Sequence, residues 1–180
     1  MQKEITRPLE KIGLSLLAAF GIALFAQLRI ELPLNAAGIP ISGQSFAVLL
    51  AGFLLGRRWG LLSVLLYLAL GFLGLPVFAG GKAGLDVLFG GSGGYLYGFA
   101  AGAWLVGLLA EKGWGRSFQR SLAAMLLGTA VLLFFGLLQL SVKYGLPKAL
   151  EYGFYPFWPG ALIKALLGGG LGYLWHRHFS

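Results

Sequence analysis

Six apolar stretches, separated by short breaks, restrict the fold of this chain more than any other feature. Most approach the roughly 20 residues that a helix needs to cross a bilayer core. Of the 180 residues, 58% are hydrophobic and 11% are charged, and a soluble domain of this length cannot bury that much apolar surface. The sequence therefore predicts an all-α integral membrane protein with six transmembrane helices in one compact bundle, residues 1–180. The predicted helices cover about 12–30, 41–56, 59–75, 95–110, 122–142 and 157–175.

The positive charges predict how this bundle is oriented. Nine cations lie at the N-terminus, in the second and fourth breaks or in the C-terminal tail, namely Lys3, Arg7, Lys11, Arg57, Arg58, Lys112, Arg116, Arg120 and Arg177. The opposite side has four, namely Arg29, Lys82, Lys143 and Lys148. Lysine and arginine are enriched in cytoplasmic loops. Both termini are therefore expected in the cytoplasm of a multi-pass protein of the cell membrane, and the net charge of +8 does not indicate a nucleic-acid partner.

The third break, residues 76–94, is too apolar for an ordinary exposed loop and too rich in glycine for a helix. Non-helical backbone at membrane depth persists only where protein buries it or where it lines a cavity. This segment is therefore predicted to fold back as a lid on the outer side, with Phe78, Leu85 and Phe89 inserted. Lys82 and Asp86, four residues apart, either form a surface ion pair or contact a ligand or Lys164.

Lys164 is the one formally charged residue in the last apolar stretch, YPFWPGALIKALLGGGLGYLW at 155–175. An ionisable residue within a membrane helix indicates a functional site by default, although the side chain can also extend to the outer interface. The functional interpretation is a cationic contact at the floor of an outward-facing cavity, for an anionic solute or a polar head group. The predicted walls are Tyr67, Tyr95, Tyr155 and Trp158, with Gln44 as an amide contact and Ser92 as a hydroxyl contact.

Enzymatic chemistry has little support in the sequence. GGSG at 90–93 matches the G-x-S-G of rhomboid-type proteases, but a serine nucleophile needs a base within hydrogen-bond reach. The two histidines, His176 and His178, are expected on the cytoplasmic side, across the bilayer from Ser92. The Gly81–Lys82 pair is followed by Ala83, so it is not a P-loop. No catalytic residue, metal site or cofactor is predicted.

Small residues recur at four-residue spacing in several of the apolar stretches. Such pairs let helix backbones approach closely. Packing within the bundle is the simpler interpretation, and a docking face for another membrane protein is the alternative. The pairs are Ala19 and Ala23, Gly52 and Gly56, Gly98 and Gly102, and Gly168 and Gly172.

Several of these segments together are similar to a known family. The run LAGFLLGRRWGLLSVLLYLALGFLGLPVFAGG, followed by LFGGSGGYLYGF and later by PFWPGALIK, resembles the BioY family, the biotin-binding membrane subunits of energy-coupling factor transporters. The resemblance implies a six-helix substrate-capture subunit whose partners are a transmembrane coupling protein and two cytoplasmic ATPases. It also implies docking of the coupling protein on small residues of the first helix, for which Ala19 and Ala23 are the matching positions.

The chain departs from the family pattern next to Lys164. The family usually has Pro-Gly-Asp-Leu-Ile-Lys in the last helix, where the aspartate and the lysine both contact biotin. Lys164 matches that lysine, but Ala161 stands in place of the aspartate. Gly91–Ser92 replaces the usual Pro-Thr, and Lys82–Ala83 replaces Ser-Gly. Loss of an acceptor for the ureido N–H groups costs about 1–3 kcal/mol if nothing replaces it.

Three consequences remain open at this point. Another acid, with Asp86 the first choice, serves the ureido ring, or the affinity is weaker, or the ligand is a relative of biotin. The leading hypothesis is capture of biotin from outside and delivery through an ATP-driven complex. The alternatives are another small anionic solute, an intramembrane enzyme acting on lipid or peptide, and a structural membrane subunit without a ligand.

Overall fold

The computed structural model describes residues 8–30 and 39–179. Lys3 and Arg7, two of the cations used for the orientation, lie outside the described residues. Within them the chain forms seven α-helices, one short 3-10 helix and a two-stranded ribbon. In chain order these are α1 Pro8–Gln27, β1 Arg29–Ile30, β2 Ile41–Ser42, α2 Gln44–Phe72, α3 Asp86–Phe89, α4 Gly93–Glu111, the 3-10 helix Trp114–Arg116, α5 Phe118–Tyr144, α6 Leu146–Gly153 and α7 Trp158–Phe179.

Four helices of the described part are long and apolar enough to cross a membrane. They are Leu9–Gln27, Gln44–Phe72, Gly93–Glu111 and Phe118–Tyr144. The chain is therefore mostly helical, as the apolar stretches predict. The ribbon is an addition that the apolar pattern does not indicate.

Two of the predicted helices, 41–56 and 59–75, are joined in α2, which is broken at Gly56 with φ 81° and ψ 174°. A Cβ built on Gly60 would lie 2.5 Å from the Cα of Gly52, whereas eight residues of continuous helix span about 12 Å. The side chains of Gln44 and Tyr67 are also hydrogen-bonded. The two arms of α2, residues 44–55 and 57–72, therefore fold back on each other as a hairpin.

The ribbon explains why α1 ends earlier, and α2 starts later, than predicted. Arg29 pairs with Ser42, and Ile30 pairs with Ile41. These residues are extended, so α1 ends at Gln27 rather than near residue 30. The second helix accordingly starts at Gln44 rather than near residue 41.

The remaining breaks contain more helix than predicted. The predicted lid, residues 76–94, includes the short helix α3 and a bridge between Phe78 and Lys82. The last break contains α6, an amphipathic helix of 8 residues. The predicted helices 95–110, 122–142 and 157–175 correspond to α4, α5 and α7, which start or end up to four residues away from the predicted bounds.

The bundle is packed through small residues and exposes its large apolar side chains, as suits a lipid surrounding. On α1 the buried face consists of Ser15, Ala19, Ile22 and Ala26. Small residues at helix interfaces let backbones approach closely where lipid offers no hydrophobic driving force between helices. The large side chains on the exposed face of α1 include Leu9, Leu17, Phe20 and Leu24.

The two ends of the bundle differ in charge. At one end, the Lys11 ammonium lies 5.9 Å from the centroid of the Trp59 ring, and Arg57 Nε lies 3.2 Å from Glu111 Oε2. We call this the basic end. The first residues of α2, α4 and α7 lie at the other end of their helices, and they surround a cavity.

Candidate functional site

The cavity lies where the starts of α2 and α4, the lid and the beginning of α7 meet. It is partly open, and its volume of about 70 Å³ suffices for several water molecules. A larger ligand therefore needs the lid or the side chains around the cavity to move. The described residues that line it are Ile39, Pro40, Ser42, Gln44, Ser45, Phe78, Ala79, Lys82, Val87, Ser92, Tyr95, Leu96, Phe99, Phe157 and Lys164.

Lys164 lies on the cavity wall, in the second turn of α7. Its Nζ donates a hydrogen bond of 2.6 Å to the Ser42 carbonyl oxygen and one of 3.2 Å to the Ser45 hydroxyl. Neither acceptor carries a charge, so these contacts orient the ammonium without neutralising it. The side chain is thus held toward the start of α2. The cavity has a positive wall that favours an anionic or carbonyl acceptor.

Gln44 is the first residue of α2, and its side chain is 5% exposed. Its amide donates a hydrogen bond to the Tyr67 hydroxyl, which donates to the Val77 carbonyl oxygen over 3.2 Å. Gln44 lines the cavity, as the sequence predicts. Tyr67 is fully buried behind it and is not among the lining residues, because the hairpin of α2 places it on the far side of Gln44.

An aromatic wall lies across the cavity from the start of α2. The Tyr95 hydroxyl donates to the Gly153 carbonyl oxygen over 2.7 Å, and its ring centroid lies 6.0 Å from that of Phe157. Ser92, one turn earlier, also lines the cavity. Apolar walls with a few convergent polar groups are typical of small-molecule sites.

The lid covers the cavity through one inserted side chain. Phe78 is 2% exposed, and its ring centroid lies 5.6 Å from that of Tyr67. Lys82, also in the lid, lines the cavity with part of its side chain while remaining exposed. Leu85 and Phe89, expected to insert as well, are 58% and 74% exposed, because α3 buries none of its residues and Leu85 immediately precedes it.

Two side chains of α5 hold the lid in place. The Gln139 amide donates 2.8 Å hydrogen bonds to the carbonyl oxygens of Leu88 and Gly90. Lys143, one turn further along α5, donates to the Phe89 carbonyl oxygen over 3.1 Å. We call Gln139 and Lys143 the lid latch. The carbonyls at the end of a helix lack partners within it, and the latch supplies donors for them.

Three predicted site residues lie away from the cavity. Asp86 begins α3, is exposed and is not among the lining residues. Tyr155 and Trp158 are 59% and 47% exposed and do not line the cavity either. Phe157, between these two in the chain, provides the aromatic contact instead, because neighbouring residues at the start of α7 point in different directions.

Ala161, which stands where the resemblance leads us to expect an acid, lies on the other side of Lys164. It lines a second cavity of about 20 Å³, together with Ser45, Thr129 and Lys164. Position 161 is therefore adjacent to the ammonium but does not line the main cavity.

The sequence interpretation missed two polar contributors, Ser42 and Ser45. Both precede or begin α2 and accept hydrogen bonds from Lys164. The sequence does contain a pattern that could have indicated them, because ISGQS at 41–45 is a short polar segment directly before a long apolar run. Only the fold shows that this group faces α7.

The small residues of the first helix do not form a free face. Ala19 is 1% exposed and belongs to the hydrophobic core, and Ala23 packs against that core. α1 uses this face to pack on α2, and the docking of a partner on these two alanines stays a prediction.

The protease-like GGSG motif has no histidine near it in the part of the chain that the structure describes. Ser92 lies at the cavity, at the start of α4. His176 lies near the end of α7, where its ring contacts Phe53 and its position adjoins Gly115 at the basic end. The two are separated by the length of the bundle.

The chain is similar to known proteins over its whole length. The profile described as the BioY family matches residues 1–180. The chain belongs to the BioY family. This result confirms the resemblance inferred from the motifs.

Curated relatives in this family carry the name biotin transporter BioY. One from Thermotoga maritima is 41% identical over 139 residues, which cover 77% of this chain and 80% of the relative. One from Rhizobium etli is 37% identical and covers 74% and 76% of the two chains. Both are named as transporters, in agreement with the prediction that the chain is not an enzyme.

A solved structure has the same fold. The crystal structure of an S-component for biotin from an ECF-type ABC transporter superposes with a TM-score of 0.83 at 28% identity. The match covers 94% of this chain and 92% of the other. The two proteins thus share their fold over almost the whole chain.

Proposed function

We propose that this protein is the substrate-capture membrane subunit of an ATP-driven vitamin importer and that it binds biotin from the outer side. The observation that carries the proposal is the Lys164 ammonium on the wall of a partly open, otherwise largely apolar cavity. The biotin transporters among its relatives support the choice of ligand.

The proposed topology has six crossings. The two arms of α2 count as separate crossings, and with α1, α4, α5 and α7 they place both termini on the same side. The positive-inside rule assigns the basic end, with Arg57, Arg58 and Lys112 nearby, to the cytoplasm. The cavity then faces outward, which suits capture of a solute before its transport across the cell membrane.

The chemistry of the cavity suits both polar parts of biotin. The ureido ring offers one carbonyl acceptor and two N–H donors, and the valerate chain ends in a carboxylate. Lys164 and Lys82 supply cationic donors, whereas Gln44 supplies an amide and Ser92 a hydroxyl. Tyr95 and its neighbour Phe157 suit the bicyclic ring and the aliphatic chain. Asp86, exposed outside the cavity, has no part in this arrangement.

Entry and release are proposed to depend on the lid, residues 76–94. The present cavity volume of about 70 Å³ is smaller than a biotin molecule needs, so the lid moves outward during binding. The sequence contains no P-loop, and ATP hydrolysis is therefore assigned to two cytoplasmic ATPases. A transmembrane coupling protein links them to this subunit, which the bilayer surrounds.

Isothermal titration of the purified protein with biotin tests the proposal. We expect saturable binding, and we expect Lys164→Met to weaken it at least tenfold, which is about 1.4 kcal/mol. The matched control is Lys148→Met, an exposed lysine of α6 outside the cavity, and its affinity should equal that of the unmodified chain. Absence of heat and of any thermal shift at millimolar biotin would refute the assignment of biotin as the ligand.

A relative of biotin is the second candidate, and Ala161 is the observation that favours it. Because the family acid is replaced there, the balance of donors and acceptors around Lys164 differs from the family pattern. Parallel titrations with desthiobiotin and lipoate decide between the ligands by their relative affinities. Co-purification of a coupling protein and ATPases distinguishes either transport function from a structural subunit.

A further inference from the structure

A chain of hydrogen bonds runs from the cavity through the α2 hairpin to the lid. The Gln44 amide, at the cavity, contacts the Tyr67 hydroxyl, and that hydroxyl lies 3.2 Å from the Val77 carbonyl oxygen. Gln44 is 5% exposed and Tyr67 is 0% exposed, so bulk water competes little for these bonds. This series of hydrogen bonds joins residues from both arms of α2 and from the lid.

The direction of each bond in this chain follows from chemistry. A backbone carbonyl can only accept, so the Tyr67 hydroxyl donates its single proton to Val77. The phenolic oxygen is then left as an acceptor toward Gln44. An amide offers an acceptor oxygen and a donor NH₂ group, and only the NH₂ group satisfies Tyr67. The second N–H and the carbonyl oxygen of Gln44 consequently remain for other partners, and the oxygen is the acceptor of the two.

The Val77 end of this series of hydrogen bonds has further contacts. The Val77 carbonyl oxygen also lies 3.4 Å from the Gln27 amide nitrogen of α1. The adjacent Phe78 is buried against the Tyr67 ring. The position of the lid therefore sets the direction in which Gln44 presents its amide.

Gln44 carries the one side-chain carbonyl oxygen among the described residues that line this cavity, where the other side-chain acceptors are hydroxyls. Lys164 and Lys82 are donors only, and no carboxylate is among the described residues that line the cavity. We propose that Gln44 selects ligands carrying N–H groups through its carbonyl oxygen, and that Tyr67 is the positioning residue that fixes this orientation. This inference rests on the proposed function, since the ureido ring of biotin supplies such N–H groups. Gln44 then takes the acceptor role for which position 161 has no side-chain group.

The test compares biotin with cyclic-carbamate analogues in which one ureido N–H is replaced by oxygen. This replacement preserves shape and removes one donor. The affinity ratio of biotin to each analogue is measured by titration for the unmodified chain, Gln44→Met and Tyr67→Phe. In the unmodified chain we expect one analogue to bind at least 30-fold more weakly than biotin, because two acceptor oxygens then face each other.

The two variants are expected to reduce that ratio to below 5-fold for different reasons. Gln44→Met removes the acceptor, whereas Tyr67→Phe frees the amide to rotate and donate to the ring oxygen of the analogue. The matched control is Tyr97→Phe, the same chemical change at a residue of α4 that is 50% exposed and does not line the cavity. Its ratio should equal that of the unmodified chain.

The outcomes of this test distinguish failure of the inference from failure of the proposed function. If Tyr67→Phe weakens biotin and the analogue equally, Tyr67 supports the fold only and the positioning role is overturned. If Gln44→Met retains the full ratio, the acceptor is another group and the inference is wrong, although biotin binding stands. If the unmodified chain binds neither ligand, the proposed function fails and the inference fails with it.

Discussion

The lid latch provides the most direct quantitative prediction, because it can be tested without any ligand. Gln139 holds the end of α3 through two 2.8 Å hydrogen bonds to the carbonyl oxygens of Leu88 and Gly90. Gln139→Leu removes both bonds while preserving much of the volume of the side chain. We expect the lid to open more often and the rest of the bundle to remain folded.

The size of the effect follows from the number of bonds. Each hydrogen bond contributes about 0.5–1.5 kcal/mol net, so the loss of both destabilises the closed lid by about 1–3 kcal/mol. Since 1.4 kcal/mol corresponds to a factor of ten, the ratio of closed to open lid should fall roughly 5- to 150-fold. Lys143, with a single 3.1 Å bond and an exposed ammonium, should contribute less.

Hydrogen–deuterium exchange of the purified protein measures this ratio at individual amides. The amides of Leu88 and Gly90 donate within the lid, and their protection should fall by the same factor in Gln139→Leu. Gln119→Leu is the matched control, because Gln119 is an exposed residue at the other end of α5. Unchanged protection of both lid amides in Gln139→Leu would refute the latch. Equal loss throughout the bundle would instead indicate general unfolding.

Two further predictions concern the stability of the bundle, measured as the thermal unfolding midpoint in one detergent. A Cβ added by Gly52→Ala would lie 2.4 Å from the Ala103 carbonyl oxygen, so we expect the bundle to lose about 1–3 kcal/mol of stability. The control is Gly21→Ala, whose Cβ meets nothing within 4 Å and should leave the stability unchanged. Equal midpoints for the two variants would contradict this packing. Tyr95→Phe removes the hydrogen-bond donor to the carbonyl oxygen of the buried Gly153 and should lower the stability of the bundle by about 1–3 kcal/mol. An unaltered midpoint would show that this bond contributes no net stability.

The ends of the helices are predicted less well by sequence patterns than the helices themselves. The apolar stretches place α4 and α7 well, because length and hydrophobicity are local properties. The ribbon of Arg29–Ile30 with Ile41–Ser42 is not visible in those patterns, since a strand of two residues is too short to show an alternation of its own. The break in α2 was predicted from GRRWG, but its hairpin geometry depends on the contact of Gly52 with Gly60.

The site residues divide in the same way. Lys164 is detectable from the sequence because a charge in an apolar helix is costly and needs a reason. Its acceptor at Ser42 is 122 residues away in the chain, and no local pattern connects the two. Asp86 was a reasonable candidate as the one acid in the lid, yet α3 exposes it to solvent.

The amino-acid sequence alone was sufficient for the long apolar helices and for singling out the cation at the cavity, since hydrophobicity and charge are properties of each position, and the orientation in the membrane stays a prediction. The tertiary structure decided which neighbours these residues have. It buried Ala19 in the core, placed Tyr67 behind Gln44 and joined the Gln44 amide nitrogen to the Tyr67 hydroxyl. Those outcomes depend on pairs of residues that meet only when the α2 hairpin and the lid have closed.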